Sequence, residues 1–258
     1  MAIMKGSQLD STMRMRLDGI DVAGGTPTFT QRTVVSERSL VPIPPDIDLT
    51  AASVLSCAVP TGWGAAVNGA QVKPGDIVVV IGVGGVGMNA VQGAWLAGAE
   101  RVIAVDPVEF KRAKAPLFGA TDVVATVEEA GDLARSLTNG QGADSAILTV
   151  GLVRGPDITD ALGIIAKGGV VAVTRVGPGR VIDVPINVFE LAVYQKRIQG
   201  VLYGMCSPAR DVPRLIDLYR NKRLLLDELI TTRYQLDDVN VGYADLHAGA
   251  NIRGVIEM

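Results

Sequence analysis

The stretch from Asp76 to Gly87, Asp-Ile-Val-Val-Val-Ile-Gly-Val-Gly-Gly-Val-Gly, constrains this chain more than any other, because an apolar strand runs straight into a glycine cluster. Ile77 to Ile81 supply the strand. Gly82, Gly84 and Gly87 stand at the G-x-G-x-x-G offsets, and an uncharged helical pattern from Val86 to Ala97 follows at once. Next comes Arg101-Val-Ile-Ala-Val-Asp106, a second apolar run ending in a carboxylate 19 residues after Gly87. A strand, a glycine turn, a helix and a strand with a terminal acid form the dinucleotide-binding version of a βαβ unit. Gly82 permits the tight turn, Gly84 clears the backbone for a pyrophosphate, and Gly87 lets helix and strand pack closely. Val83, Gly85 and Val86 complete a loop whose free N–H groups and helix-dipole end attract phosphate. Asp106 is placed to accept hydrogen bonds from the adenosine ribose hydroxyls and to repel a 2′-phosphate, so the expected cofactor is NAD rather than NADP.

The alternation continues beyond this unit. Strands are expected at 77 to 81, 101 to 106, 122 to 126, 144 to 150, 169 to 174 and 197 to 203. Helical stretches are expected at 86 to 98, 110 to 118, 127 to 137, 157 to 166 and 188 to 195. Six strands separated by helices predict an α/β fold with a doubly wound parallel sheet of Rossmann type. Before it, Gly24-Gly-Thr-Pro27, Thr28 to Val35 and Val41-Pro-Ile-Pro-Pro45 are short and turn-rich. After it, Val212 to Arg220 has helical spacing and Asn251 to Met258 reads as a strand. These flanks are expected to pack together as a smaller unit, giving boundaries at 1–58, 59–203 and 204–258.

The net charge of −3 offers no basic field and aromatics are only 4% of the chain, so nucleic acid is not an expected partner. Ile77 to Ala99 is an uncharged run of 23 residues, long enough to suggest a membrane span, but Gly82, Gly84, Gly85 and Gly87 cut it into a strand and a helix. The first residues contain no apolar stretch of signal-peptide length, and Cys57 and Cys206 form no C-x-x-C pattern, which together predict a cytoplasmic, reduced protein.

Several motifs resemble one family, the zinc-type medium-chain alcohol dehydrogenases. They are Phe29-Thr-Gln-Arg-Thr-Val-Val35, Leu55-Ser-Cys-Ala-Val-Pro-Thr-Gly-Trp-Gly-Ala-Ala-Val67, the glycine loop with Asp106, Phe118-Gly-Ala-Thr121 and Asn251-Ile-Arg-Gly254. The glycine loop through Gly93, Val105-Asp-Pro-Val-Glu-Phe-Lys111 and Ile147-Leu-Thr-Val-Gly151 resemble the actinobacterial nicotinoprotein branch, whose members hold NAD tightly and are assayed with an artificial electron acceptor. The resemblance implies hydride transfer between a primary alcohol or aldehyde and NAD, with zinc as Lewis acid. It implies that Cys57 is the third ligand of the catalytic zinc, that Thr61 lies beneath the nicotinamide, that Lys111 reaches the ribose beside Asp106, and that Arg253 meets the pyrophosphate. Val150, Thr174 and Val176 would line the nicotinamide side of the crevice. Read without the family, Cys57 is a buried small residue, Thr61 a helix N-cap, Lys111 a solvated helix charge and Arg253 an ordinary surface arginine. The resemblance further implies a homodimer formed through the Arg197 to Tyr203 edge strand.

The same family places a barrel-like catalytic domain ahead of the residues seen here. Its first cysteine ligand, its Gly-His-Glu segment, its four-cysteine lobe and its proton-relay residues have no counterpart in this sequence. A catalytic zinc needs three protein ligands and an open position. Cys206 and the sole histidine, His247, show no metal-ligand spacing to Cys57. The expectation is therefore a truncated alcohol dehydrogenase with impaired zinc chemistry and only a remnant of the β-rich catalytic domain. The alternatives are a non-catalytic NAD(H)-binding and dimerisation module, or a zinc-free quinone or enoyl-type reductase, against which Cys57 weighs.

Overall fold

A computed structural model describes residues 12–13, 15–22, 28–174 and 184–258. A short antiparallel hairpin, β1 (Met15–Leu17) with β2 (Ile20–Val22), precedes a segment of irregular chain and α1 (Leu49–Ser53). The helix α2 (Ala58–Gly64) follows and runs on as a π-helical segment, Ala65–Ala70. The central part alternates: β3 (Ile77–Ile81), α3 (Gly85–Leu96), β4 (Arg101–Val105), α4 (Glu109–Lys114), β5 (Asp122–Val124), α5 (Val127–Leu137), β6 (Ala143–Leu148), α6 (Gly155–Ile164), β7 (Ile165–Val173), α7 (Val188–Val193) and β8 (Arg197–Gly200). The chain closes with α8 (Pro208–Arg220), β9 (Ile230–Gln235), α9 (Val239–Ala248) and β10 (Arg253–Glu257).

The six central strands form one parallel sheet in the order β5-β4-β3-β6-β7-β8, with the chain reversing direction of travel between β3 and β6. That switch opens a crevice beyond the carboxyl ends of the two strands, where ligands of such sheets bind. The apolar runs are explained by cover on both faces. Ile77, Val79 and Ile81 face a cluster with Ala130, Ala134, Ala161 and Leu162, whereas Val78 and Val80 face another with Met88, Val91, Ala94 and Trp63. The second cluster extends without a break to Ile47, Ala51, Leu55, Val212, Leu215 and Ile252, so the flanking segments share the core of the sheet. Glycine contacts bring α2 unusually near α3. A Cβ on Gly62 would lie 2.0 Å from the Val86 carbonyl oxygen, and one on Gly93 2.8 Å from that of Trp63.

Every expected strand after β3 ends one to three residues early, and two of these show why. β6 stops at Leu148 because Thr149 turns inward to bond the end of β3. β8 stops at Gly200, short of the expected Tyr203, because Tyr203 (φ 52°), Gly204 (φ 65°) and Met205 (φ 54°) are all left-handed and cannot continue a strand. Gly204 is pressed there against α2, where a side chain would meet the Pro60 carbonyl oxygen at 2.0 Å. Among the described residues no single helix is long and apolar enough to cross a membrane, and the uncharged run 77–99 is divided between β3 and α3.

Candidate dinucleotide site

The glycine loop joins β3 to α3 at the switch point. Gly82 has φ +87°, a conformation that other residues adopt only at a cost, and Gly87 is pinned against it: a Cβ on Gly87 would stand 1.9 Å from the Gly82 carbonyl oxygen. Gly84 is different. A Cβ there would meet nothing within 4 Å, so its surface faces open space at the first turn of α3. No side chain caps that helix. Its leading N–H groups and positive dipole end are thus available to an anion.

Asp106 is buried at the end of β4. Its Oδ2 accepts from the Val83 N–H at 3.0 Å and its Oδ1 from the Val108 N–H at 2.9 Å. Each carboxylate oxygen retains a second lone pair for a ribose hydroxyl. The carboxylate therefore holds the glycine loop and offers a ligand acceptor from the same atoms. Arg112, absent from the sequence reading, supports this turn by donating to the carbonyls of Asp106 (2.7 Å) and Pro107 (2.8 Å). Lys111 is half-buried and its ammonium lies toward Gly249 rather than in a hydrogen bond with Asp106.

The crevice wall beyond the loop is formed by Thr149 and Val150. Thr149 Oγ1 donates toward the carbonyls of Ile81 (3.0 Å) and Gly82 (2.5 Å), locking β6 to the loop. Val150 packs on Gly82, where a Cβ would approach its Cγ1 to 2.9 Å. Thr174, just past β7, donates its hydroxyl to the Leu148 carbonyl at 2.7 Å. Val176 lies outside the described residues.

Arg253 crosses the loop from the C-terminal strand pair, with its Cδ and Nε 2.8 and 2.9 Å from where a Gly85 Cβ would be. Among the described residues no carboxylate pairs with its guanidinium. Burial lowers its pKa from the ordinary value, an effect the nearby Cys57 opposes. A partly buried guanidinium without a counterion is suited to receive a diphosphate. The residues present fit a dinucleotide: an open Gly84, an uncapped helix start, an unpaired arginine and a buried acid.

Cys57 and Thr61 stand at the head of α2. Thr61 is buried inside the helix, its N–H bonded to the Cys57 carbonyl at 3.0 Å, so it is not an N-cap. Cys57 is exposed and is not the buried packing residue that a free cysteine usually is. Near it are the Tyr203 phenol, pushed up to about 12 chiefly by burial and then by Cys57, Cys206 and Asp211, and the Arg253 guanidinium. The Cys206 thiol sits at 3.5 Å from the Pro60 and Gly204 carbonyls, and burial raises it to about 11. His247 is exposed in the last turn of α9. Among the described residues no group of three or more His, Cys, Asp or Glu side chains is placed to hold a metal ion, so this set does not fit a catalytic zinc.

A family model for zinc-binding dehydrogenases matches residues 85–221, from the start of α3 to the end of α8. An alcohol dehydrogenase of Amycolatopsis methanolica described as NDMA-dependent is 43% identical over 256 residues, covering 98% of this chain and 69% of the relative. The chain belongs to the zinc-binding dehydrogenase family. Alcohol dehydrogenase B of Mycobacterium tuberculosis is 42% identical over 252 residues, 97% of this chain and 67% of that protein. The crystal structure of benzyl alcohol dehydrogenase from Acinetobacter calcoaceticus superposes with a TM-score of 0.80 at 27% identity, covering 88% of this chain. This zinc-binding dehydrogenase chain spans only 61% of that solved chain. Its named homologues are alcohol dehydrogenases, and the likeness to the solved structure takes in 88% of this chain, flanking segments as well as the doubly wound sheet.

Proposed function

We propose that this chain supplies the NAD(H)-binding half of an alcohol dehydrogenase-type oxidoreductase, in which hydride passes between a primary alcohol or aldehyde and the cofactor. The observation that carries the reading is the pairing of an open Gly84 at an uncapped helix start with a buried Asp106 that already holds the loop. The names of relatives at 42 and 43% identity support the substrate class. The chemistry that NAD supplies when bound is acceptance or delivery of hydride at its nicotinamide C4. The chain's own residues bind and orient: α3 and Arg253 take the diphosphate, Asp106 with Lys111 the adenosine ribose, and Thr61, Val150 and Thr174 the nicotinamide side. Cys57 would be the one zinc ligand carried by these residues, and no step is assigned to a metal that they alone do not fit.

The zinc-free quinone or enoyl reductase alternative is not better supported, since the relatives named above are alcohol dehydrogenases. The non-catalytic module describes what these residues do unaided and differs from the first reading only in turnover. Either version includes association of two copies through β8, an open sheet edge flanked by exposed Val188, Phe189, Ile198 and Leu202. Sedimentation at micromolar concentration should show a dimer, and an Ile198→Lys substitution should shift it to monomer; a wild-type monomer would remove this part of the proposal.

Calorimetric titration with NAD and NADP tests the cofactor. NAD should bind more tightly, and Asp106→Ala should weaken it by about 1–3 kcal/mol, the scale of losing charge-assisted hydrogen bonds. Unchanged affinity in the variant would place the adenosine elsewhere.

A further inference from the structure

Arg253 is held over the glycine loop by an arrangement that its own contacts do not explain. β10 pairs with β9 in parallel, but the register slips between Arg253, opposite Ile230, and Gly254, opposite Thr232, leaving Thr231 outside the pairing. Such irregularities re-aim side chains beside functional sites. Thr231 Oγ1 accepts the Ile252 N–H at 3.0 Å, which fixes the backbone just before the arginine.

Behind that backbone runs a chain of buried polar groups. Tyr234 donates its hydroxyl to Asp245 at 2.6 Å and accepts from the Asn251 amide nitrogen at 3.0 Å. Because the phenol proton is committed to the carboxylate, only the NH2 end of Asn251 can face Tyr234, so its Oδ1 points the other way. That oxygen is buried and has no hydrogen-bond partner, although Asn251 is only 4% exposed. A buried unpaired amide oxygen calls for a specific explanation. Asn251 and Arg253 line the same cavity of about 200 Å³, walled by Tyr234, Tyr243, Leu246 and Phe29. The oxygen itself is out of solvent contact, so what orients the Asn251 side chain, two residues before Arg253, is its bond to Tyr234.

We infer that Asn251 is a positioning residue for the dinucleotide's diphosphate: its amide, oriented by the Tyr234–Asp245 pair, fixes the chain two residues before Arg253 and so aims the guanidinium over the glycine loop. The inference rests on the reading that this loop takes a dinucleotide. It adds to that reading a residue that touches neither the loop nor the ligand.

The test is calorimetric titration of the full chain with ADP-ribose, which carries the diphosphate, and with adenosine, which lacks it. Asn251→Leu, of similar size, should weaken ADP-ribose about tenfold while moving adenosine less than about twofold, as loss of support for one charged contact would. Tyr234→Phe should act in the same direction by about threefold, and it tests the idea if Asn251→Leu does not fold. Because Asn251 acts through Arg253, the double variant Arg253→Met with Asn251→Leu should bind no more weakly than Arg253→Met alone. Additive losses, or equal losses for the two ligands, would reduce Asn251 to a structural role and overturn the inference. A loss in Arg253→Met without one in Asn251→Leu or Tyr234→Phe overturns it and leaves the loop's function standing. A wild-type chain that does not bind ADP-ribose overturns both.

Discussion

The glycine loop and the surroundings of Cys57 lie on two sides of Arg253, yet only the first is complete within the described residues. The loop needs backbone N–H groups, three glycines and one acid, all drawn from a continuous run between Gly82 and Asp106, and the fold delivers them together. A zinc site needs side chains that converge from separate segments, and around Cys57 the structure places Tyr203 and Arg253, with no group of three ligand-type side chains among the described residues. A proposed nucleotide site made largely of backbone is therefore legible in one short stretch of sequence. A metal site made of distant side chains is only as complete as the segments in hand.

The sharpest way to break the loop is Gly87→Ala. With a Cβ only 1.9 Å from the Gly82 carbonyl, helix and strand must separate, and thermal or urea unfolding should show a loss of about 3 kcal/mol. Near-native stability would mean that the contact is softer than described. Below that in size comes Asp211, whose buried carboxylate accepts from the Ser207 N–H at 2.7 Å and pairs with Arg210 at 2.9 Å. The Arg210 hydrogen bond leads the causes that lower its pKa. A depressed folded-state value means that its stabilisation is present above the unfolded value, about pH 4, and drains away as pH falls through the lower one. Asp211→Asn should cost about 1–3 kcal/mol at neutral pH and progressively less in acid. A cost independent of pH would contradict the charge-based account.

Gly84→Ala separates binding from folding. Open space there predicts a stability change within about 0.5 kcal/mol, together with roughly tenfold weaker NAD binding as the methyl group blocks the diphosphate. Should NAD bind the variant normally, the phosphates do not approach Gly84. The smallest effect concerns the other region. Alkylation at pH 8 should label exposed Cys57 well before Cys206, because a thiol raised to about 11 stays protonated. Mass spectrometry of the singly labelled chain decides, and preferential labelling of Cys206 would reverse the assignment of the reactive site.

The sheet was legible for a physical reason. β3 and α5 match the residues expected for them, the first because five β-branched residues are bounded by Asp76 and Gly82, the second because Thr126 and Glu129 cap its start reciprocally. β8 was overextended because nothing local announces that Tyr203 and Met205 adopt left-handed conformations on either side of Gly204, which itself packs against Pro60 and Gly64. Gly84, Gly87 and Asp106 stand where their spacing put them. Arg112, Thr149 and Asn251 escaped notice because their partners are carbonyls and phenols up to 68 positions away, which no spacing rule encodes. The N-cap reading of Thr61 fails because Cys57 begins the helix.

The most direct test of the central claim is calorimetric titration of NAD into the metal-stripped chain, repeated with one equivalent of zinc. The account predicts one NAD per chain with the same affinity in both experiments, because the loop, Asp106 and Arg253 are complete without metal. Absence of NAD binding, or binding that appears only when zinc is added, would contradict it.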